Sequence, residues 1–255
     1  MIWKSTASSV TGRSHLDRSE SGQDYSRAGS IRIADGEYFI GLAADGAGST
    51  TEGGRGAEVA CETVWGCIIN CLRHDGDLLN ISDDEIRGWV TTSRDAIAAE
   101  ATGNGKRMKD YACTLLGAVT GNDHTVFFQI GDGAIVVSAG EDYQTIFWPE
   151  QGEYANTTFF VSDEAYLERL RILHAPTSPT EIALFTDGLQ NLVLSFSQKK
   201  AHAGFFRPLF EALRRDPGNE FSDFSGQLGR FLLRDDISTR SDDDKTLVLA
   251  VQVAG

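Results

Sequence analysis

Phe39-Ile40-Gly41-Leu42-Ala43-Ala44-Asp45-Gly46 is the stretch that orders the rest of the chain. Residues 37–44 form a short apolar run with the length of a buried strand. The run stops at a carboxylate, and the following glycine lets the backbone turn sharply and approach a ligand. Two more apolar runs end the same way. Phe127 to Ile130 leads through Gly131 into Asp132-Gly133, and Ile182 to Thr186 leads into Asp187-Gly188. The order is reversed at the C-terminal end, where Asp242-Asp243-Asp244 comes just before the apolar stretch Thr246 to Val253. In an antiparallel sheet the start of one strand lies beside the end of its neighbour. All four acidic points can therefore gather on one edge. Carboxylates crowded in this way raise one another's pKa, a conflict that a hard divalent cation such as Mg²⁺ or Mn²⁺ removes. Asp-Gly is also a common hairpin pair, so one instance alone reads as a turn. Three in the same context, with an Asp triplet before a strand, point to a metal site.

Outward from these runs the chain reads as strands and helices in an α+β order. A Gly-rich loop at 46–56 precedes a helix over about 57–73. Ala57, Cys61, Val64, Ile68 and Cys71 fall on one face of it. Ser82 and Glu85 have the spacing of a capping box for a second helix, about 83–101, with Ile86, Val90 and Ile97 inward. Strands are expected at about 112–120, 124–130, 134–139, 143–148, 181–186 and 246–253. The turns Gly121-Asn122-Asp123 and Gly140-Glu141-Asp142 imply antiparallel pairing. Residues 149–180, with Pro149, Pro176 and Pro179, read as irregular with a short helix near 163–172. Further helices are expected near 205–215 and 220–233.

The 255 residues suit one large domain or two small ones, and no Pro- or Ser-rich linker divides them, so residues 1–255 are read as a single domain. Lys plus Arg total 23 against 37 Asp plus Glu, a net charge of −14. Such a chain repels nucleic acid and anionic lipid. No apolar run approaches the roughly 18 residues that span a bilayer, and the first residues lack an apolar signal core. No nucleic-acid or membrane partner is expected, and the location expected is cytoplasmic. Cys61, Cys67, Cys71 and Cys113 show no C-x-x-C spacing and read as free thiols. The Gly-rich loop lacks Gly-Lys-Ser/Thr, so it is not a nucleotide P-loop, and the Asp triplet lacks EF-hand spacing.

The motifs also fall in a familiar order. Gly22-Gln23-Asp24, Ala43-Ala44-Asp45-Gly46-Ala47-Gly48, Cys113-Thr114-Leu115, Ile130-Gly131-Asp132-Gly133, Phe185-Thr186-Asp187-Gly188-Leu189 and Asp243-Asp244-Lys245-Thr246 span nearly the whole chain. Together they resemble the motif series of the metal-dependent protein phosphatase 2C family in its compact bacterial form. Gly12-Arg13-Ser14-His15 followed by Gln23-Asp24 is similar to the branch called PphC-like. The resemblance implies a four-layer α/β/β/α sandwich of two antiparallel sheets flanked by helices. It implies two Mn²⁺ or Mg²⁺ ions at one end of the sheets and hydrolysis of phosphoserine or phosphothreonine by a metal-activated water. On this sequence Asp45 would bridge the two metals, Gly46 would offer its carbonyl, and Asp187 and Asp243 would complete the set. Asp24 would hold metal-bound water in an outer layer, and Asp132 with Asp187 would take a third, weaker metal. Phosphorylated proteins are the implied partners, a Ser/Thr kinase or its targets among them. Residues 149–180 lie where the family carries its variable flap.

The chain departs from the pattern in three places. The family's phosphate-gripping Arg lies five residues before the motif Asp, where this chain has Ser19. Arg13, His15 and Arg18 are the nearby candidates for that grip. Gly133-Ala134 stands where the family has Ser-Arg, and Asp244 stands where it has Asn. The altered grip leaves a second reading, a catalytically weak relative that binds phosphoproteins as a regulatory module. A third is a hydrolase of small phosphate esters.

Overall fold

The computed structural model describes residues 2–33, 36–75, 77–149, 158–218 and 223–254. In chain order its strands are β1 (Ile2–Val10), β2 (Asp24–Ile33), β3 (Gly36–Asp45), β4 (Leu115–Thr120), β5 (Thr125–Ile130), β6 (Ala134–Ala139), β7 (Asp142–Thr145), β8 (Arg171–Ala175), β9 (Glu181–Phe185), β10 (Leu194–Ser195), β11 (Lys200–Ala201) and β12 (Lys245–Val253). The helices are α1 (Arg13–Leu16), α2 (Gly53–Asp75), α3 (Asp83–Gly103), α4 (Tyr166–Arg169), α5 (Gln190–Val193), α6 (Ala203–Arg215), α7 (Phe224–Leu232) and α8 (Asp235–Ser238). One five-stranded sheet has the order β1-β12-β9-β6-β7 and the other β2-β3-β4-β5-β8. Every pairing in both is antiparallel. The expected α+β sandwich of two antiparallel sheets is therefore the fold.

Period-two alternation builds the layers. On β3, Phe39 and Ala43 face the other sheet, while Ile40, Leu42 and Ala44 face helices. On β12, Val248 and Ala250 point between the sheets, and Leu247, Leu249 and Val251 point outward. Three apolar cores result. One lies between the sheets around Phe39, Phe127 and Leu184. A second lies under α2 and α3. The third lies under α6 and α7, around Phe185, Phe206 and Phe210. Four layers need three cores, and the central strands are buried on both faces.

Helix α2 starts at Gly53, four residues before the expected position, and so takes up part of the Gly-rich loop. The Ser82–Glu85 capping box is formed in both directions. The turns at 121–123 and 140–142 join paired strands as expected. Strands β1 and β2 were not expected from the sequence. Both are edge strands with mostly half-buried, mixed-polarity residues, which blurs any alternation. Within 149–180, residues 150–157 lie outside the described residues. The remainder holds the expected short helix, cut down to α4, and an unexpected edge strand, β8.

Candidate metal centre

Sheet register delivers the acidic residues to one end of the sandwich. Asp45 closes β3 and lies opposite Asp24, the first residue of β2. β9 ends at Phe185, which pairs with Leu247 near the start of β12 and with Ala134 at the start of β6. Asp187, Asp243 and Asp132 thereby collect at the same edge. One carboxylate oxygen from each of Asp45, Asp132 and Asp187 lies within 4.8 Å of the other two.

Backbone geometry and threonine hydroxyls from elsewhere in the chain position these aspartates. The Asp45 N–H donates to Thr114 Oγ1 at 2.9 Å, and its carbonyl accepts from the Thr114 N–H at 2.8 Å. A Cβ on Gly46 would stand 2.2 Å from the Gly53 carbonyl carbon, so only glycine fits there. Asp132 rides the crossing from one sheet to the other, between Gly131 and Gly133 with φ of +88° and +93°. The Thr158 hydroxyl donates to its Oδ2 at 2.7 Å. Asp187 begins a 3₁₀ turn after β9, and the Asp243 carboxylate accepts from the Asp244 N–H at 2.9 Å. Asp24 Oδ2 accepts from the Thr186 hydroxyl at 2.7 Å, while its Oδ1 is buried with no partner among the described residues.

The cluster is electrostatically strained. Burial, and then the neighbouring Asp24, Asp187 and Asp243, push the Asp45 carboxyl well above its ordinary range. Burial and the charges of Asp132 and Asp243 raise Asp187 to about 7. Asp24 also rises to about 7, mainly through burial and against the lowering effect of its Thr186 bond. Asp243 is raised by burial. The nearby cation Lys245 is itself buried, donates to the Asp243 carbonyl at 2.7 Å, and has its pKa lowered by burial. The donor set is hard oxygen, crowded and undercompensated, with one buried oxygen unpartnered. Those are the properties that a divalent cation of the Mg²⁺/Mn²⁺ type satisfies.

The three candidates for gripping phosphate have different surroundings. Arg13 is exposed. Arg18 is exposed, pairs with Glu20 at 2.7 Å, and lines a 580 Å³ cleft with Gln23, Thr50 and Arg55. His15 is buried, and its Nδ1 lies 3.0 Å from Asp244 Oδ1. The ring faces the protein interior. The threonines that hold Asp45 and Asp24, Thr114 and Thr186, lay inside the quoted motifs, but nothing in the sequence showed what they bond.

A two-sheet sandwich with aspartates from several strand ends converging at one edge defines a class of cation-dependent hydrolase scaffold, and comparison with known proteins gives the family. The protein phosphatase 2C family model matches residues 11–232. Serine/threonine-protein phosphatase 3 of Escherichia coli (strain K12) is 33% identical over 252 residues, covering 98% of this chain and 99% of that protein. The catalytic domain of the phosphatase PstP, solved with two manganese ions, aligns at 17% identity over 99% of each chain with a TM-score of 0.61. Stp1 of Staphylococcus aureus aligns at 15% identity over 100% of this chain and 96% of its own, also with a TM-score of 0.61. At such identities the structural matches speak for the fold. The chain belongs to the protein phosphatase 2C family.

Proposed function

We propose that the protein is a Ser/Thr phosphoprotein phosphatase whose acidic edge holds two divalent cations, Mn²⁺ or Mg²⁺. One observation carries this reading: carboxylate oxygens from three separate strand ends meet within 4.8 Å. Asp45, with Asp24, Asp187, Asp243 and Asp132 around it, is the residue that would hold the cations most closely. Asp187 and Asp243 serve as further ligands, with the Gly46 carbonyl beside them. Asp132 lies close enough to Asp187 to share a third, weaker ion.

Bound at this edge, the cations would lower the pKa of a water molecule and neutralise charge on the phosphoryl oxygens. The chain's own residues do the rest. Thr114 holds the Asp45 backbone from both sides, which fixes the point from which its carboxylate projects. Thr186 holds one oxygen of Asp24 and leaves the buried Oδ1 free to accept from a water. None of the four cysteines is suited to act as nucleophile. Cys61 and Cys113 are buried with raised thiol pKa, in both cases chiefly through burial, and Cys67 and Cys71 lie on α2. Substrates are phosphorylated proteins, a Ser/Thr kinase or its targets among them, with Arg18, paired to Glu20, as the candidate for phosphate at the cleft that Gln23 lines. The buried Cys61 and Cys113 are free thiols, which supports a reducing compartment, the cytoplasm. No helix among the described residues is long and apolar enough to cross a membrane.

The test is phosphate release from a phosphothreonine peptide and from p-nitrophenyl phosphate, with Mn²⁺ or EDTA, beside Asp187→Asn. The proposal expects Mn²⁺-dependent release, faster from the peptide, lost in EDTA and in the variant. A folded wild type that binds phosphopeptide and never turns it over would make the protein a binding module instead.

A further inference from the structure

Asp244 stands one residue past a proposed ligand, is 2% exposed, and has both carboxylate oxygens engaged by residues of the segment 12–23. Oδ1 accepts from the Gly12 N–H at 2.6 Å and lies 3.0 Å from His15 Nδ1. Oδ2 accepts from the Gln23 N–H at 2.5 Å. The same residue's backbone N–H donates to Asp243 Oδ1 at 2.9 Å. One side chain therefore joins both ends of the segment 12–23 to the start of β12. The contact is close elsewhere too. The Ser14 N–H donates to the Asp242 carbonyl at 2.9 Å, and a Cβ on Gly12 would stand 2.2 Å from the Asp243 carbonyl carbon. Gln23 passes the constraint on in two directions. It precedes Asp24, and its carbonyl accepts from the Gly46 N–H at 3.1 Å.

We propose that Asp244, braced by His15, is a positioning residue that ties residues 12–23 to the acidic edge and so sets Asp24, Gly46 and Asp243. This rests on the cation reading of that edge. A carboxylate is required because donors face both of its oxygens. Asparagine offers one oxygen and turns an amide NH₂ toward one of those N–H groups. A charged acceptor also makes stronger bonds than a neutral one. His15 is thereby a brace for the loop and not a phosphate ligand, which leaves the exposed Arg13 and Arg18 as candidates for that grip.

Wild type, Asp244→Asn, His15→Gln and the double variant separate the possibilities. Two readouts need no turnover: trypsin cleavage after the exposed Arg13 and Arg18 in metal-free protein, mapped by mass spectrometry, and Mn²⁺ affinity by calorimetry. Loss of a buried charge-assisted bond predicts about ten-fold faster cleavage and about ten-fold weaker Mn²⁺ binding in Asp244→Asn. On a phosphothreonine peptide kcat falls and KM rises as well, because the released segment carries Arg18. His15→Gln moves the same way by a smaller factor, and in the double variant its effect shrinks, because the two act through one contact. Wild-type cleavage and wild-type Mn²⁺ affinity in Asp244→Asn would overturn the proposal. So would faster cleavage with unchanged Mn²⁺ affinity, which makes the tether structural only. Weaker Mn²⁺ binding without faster cleavage also overturns it, since Asp244 would then act on the ion without the loop. Should Asp244→Asn fail to fold, His15→Gln decides by the same criteria. A wild type that binds no Mn²⁺ is a different result and removes the cation reading itself.

Discussion

The same strands that are most apolar along their length are the most acidic where they end. Between the sheets β3, β5, β9 and β12 bury Phe39, Phe127, Leu184 and Val248 completely or nearly so. At the last residue of β3, two residues beyond β5 and β9, and two residues before β12 stand the aspartates that repel one another. Burial of apolar surface stabilises the fold by about 25 cal/mol per Å², whereas each ionised carboxylate at the edge opposes it. The difference shows how function is accommodated. Strong cores hold together a cluster that would not assemble by itself, and the strain is confined to one end of the sandwich.

Four measurements probe the division between apolar cores and charged edge. Asp45→Asn should reduce phosphate release by at least about a thousand-fold, roughly 4 kcal/mol in the barrier. In metal-free protein at pH 8 it should melt higher than wild type, because a repelling charge has gone. Phosphate release beside differential scanning calorimetry checks both halves. Phe127→Ala inverts the pattern. A cavity in the central core should cost about 3–5 kcal/mol of stability, measured by urea unfolding, with turnover per folded molecule near wild type.

The pH dependence follows from the raised carboxyls. Asp24 and Asp187, at about 7, bind protons in the folded state more tightly than in the unfolded chain. Their contribution is fully present below the unfolded carboxylate pKa, near 4, and is lost as pH rises through about 7. Metal-free protein should therefore melt progressively lower between pH 5 and pH 8, and Mn²⁺ should raise the melting temperature more at pH 8 than at pH 5. The smallest effect belongs to a site remote from the acidic edge. Ser82→Ala removes the formed cap of α3 and should cost about 1 kcal/mol, with no change in Mn²⁺ affinity.

How legible each part was follows from the same contrast. Strands β3, β9 and β12 could be read because burial on both faces makes them continuous apolar runs. The ends of these strands could be read because a carboxylate followed by glycine leaves a two-letter mark. Strands β1 and β2 could not, since an edge strand such as Ile2–Val10 mixes Trp3 with Lys4, Ser5 and Thr6 and buries few of its residues fully. Strand β8, at the other sheet's edge, was hidden in the same way among prolines. Within the site the aspartates were visible and their supports were not. Thr114 meets Asp45 across 69 residues, Thr186 meets Asp24 across 162, and Asp244 meets Gln23 across 221. Such partners are set by strand register, which no local pattern encodes. Asp244 stood out in the sequence only as an aspartate where the family has asparagine, and its carboxylate holds the loop. His15, a candidate for phosphate, is the residue it holds.

Anomalous diffraction at the manganese edge, from crystals of the Mn²⁺-loaded protein, tests the central claim most directly. The account predicts two peaks within coordination reach of Asp45, one also reached by Asp187 and Asp243. No peak at that edge, in protein that still hydrolyses phosphothreonine peptide with EDTA present, would contradict it.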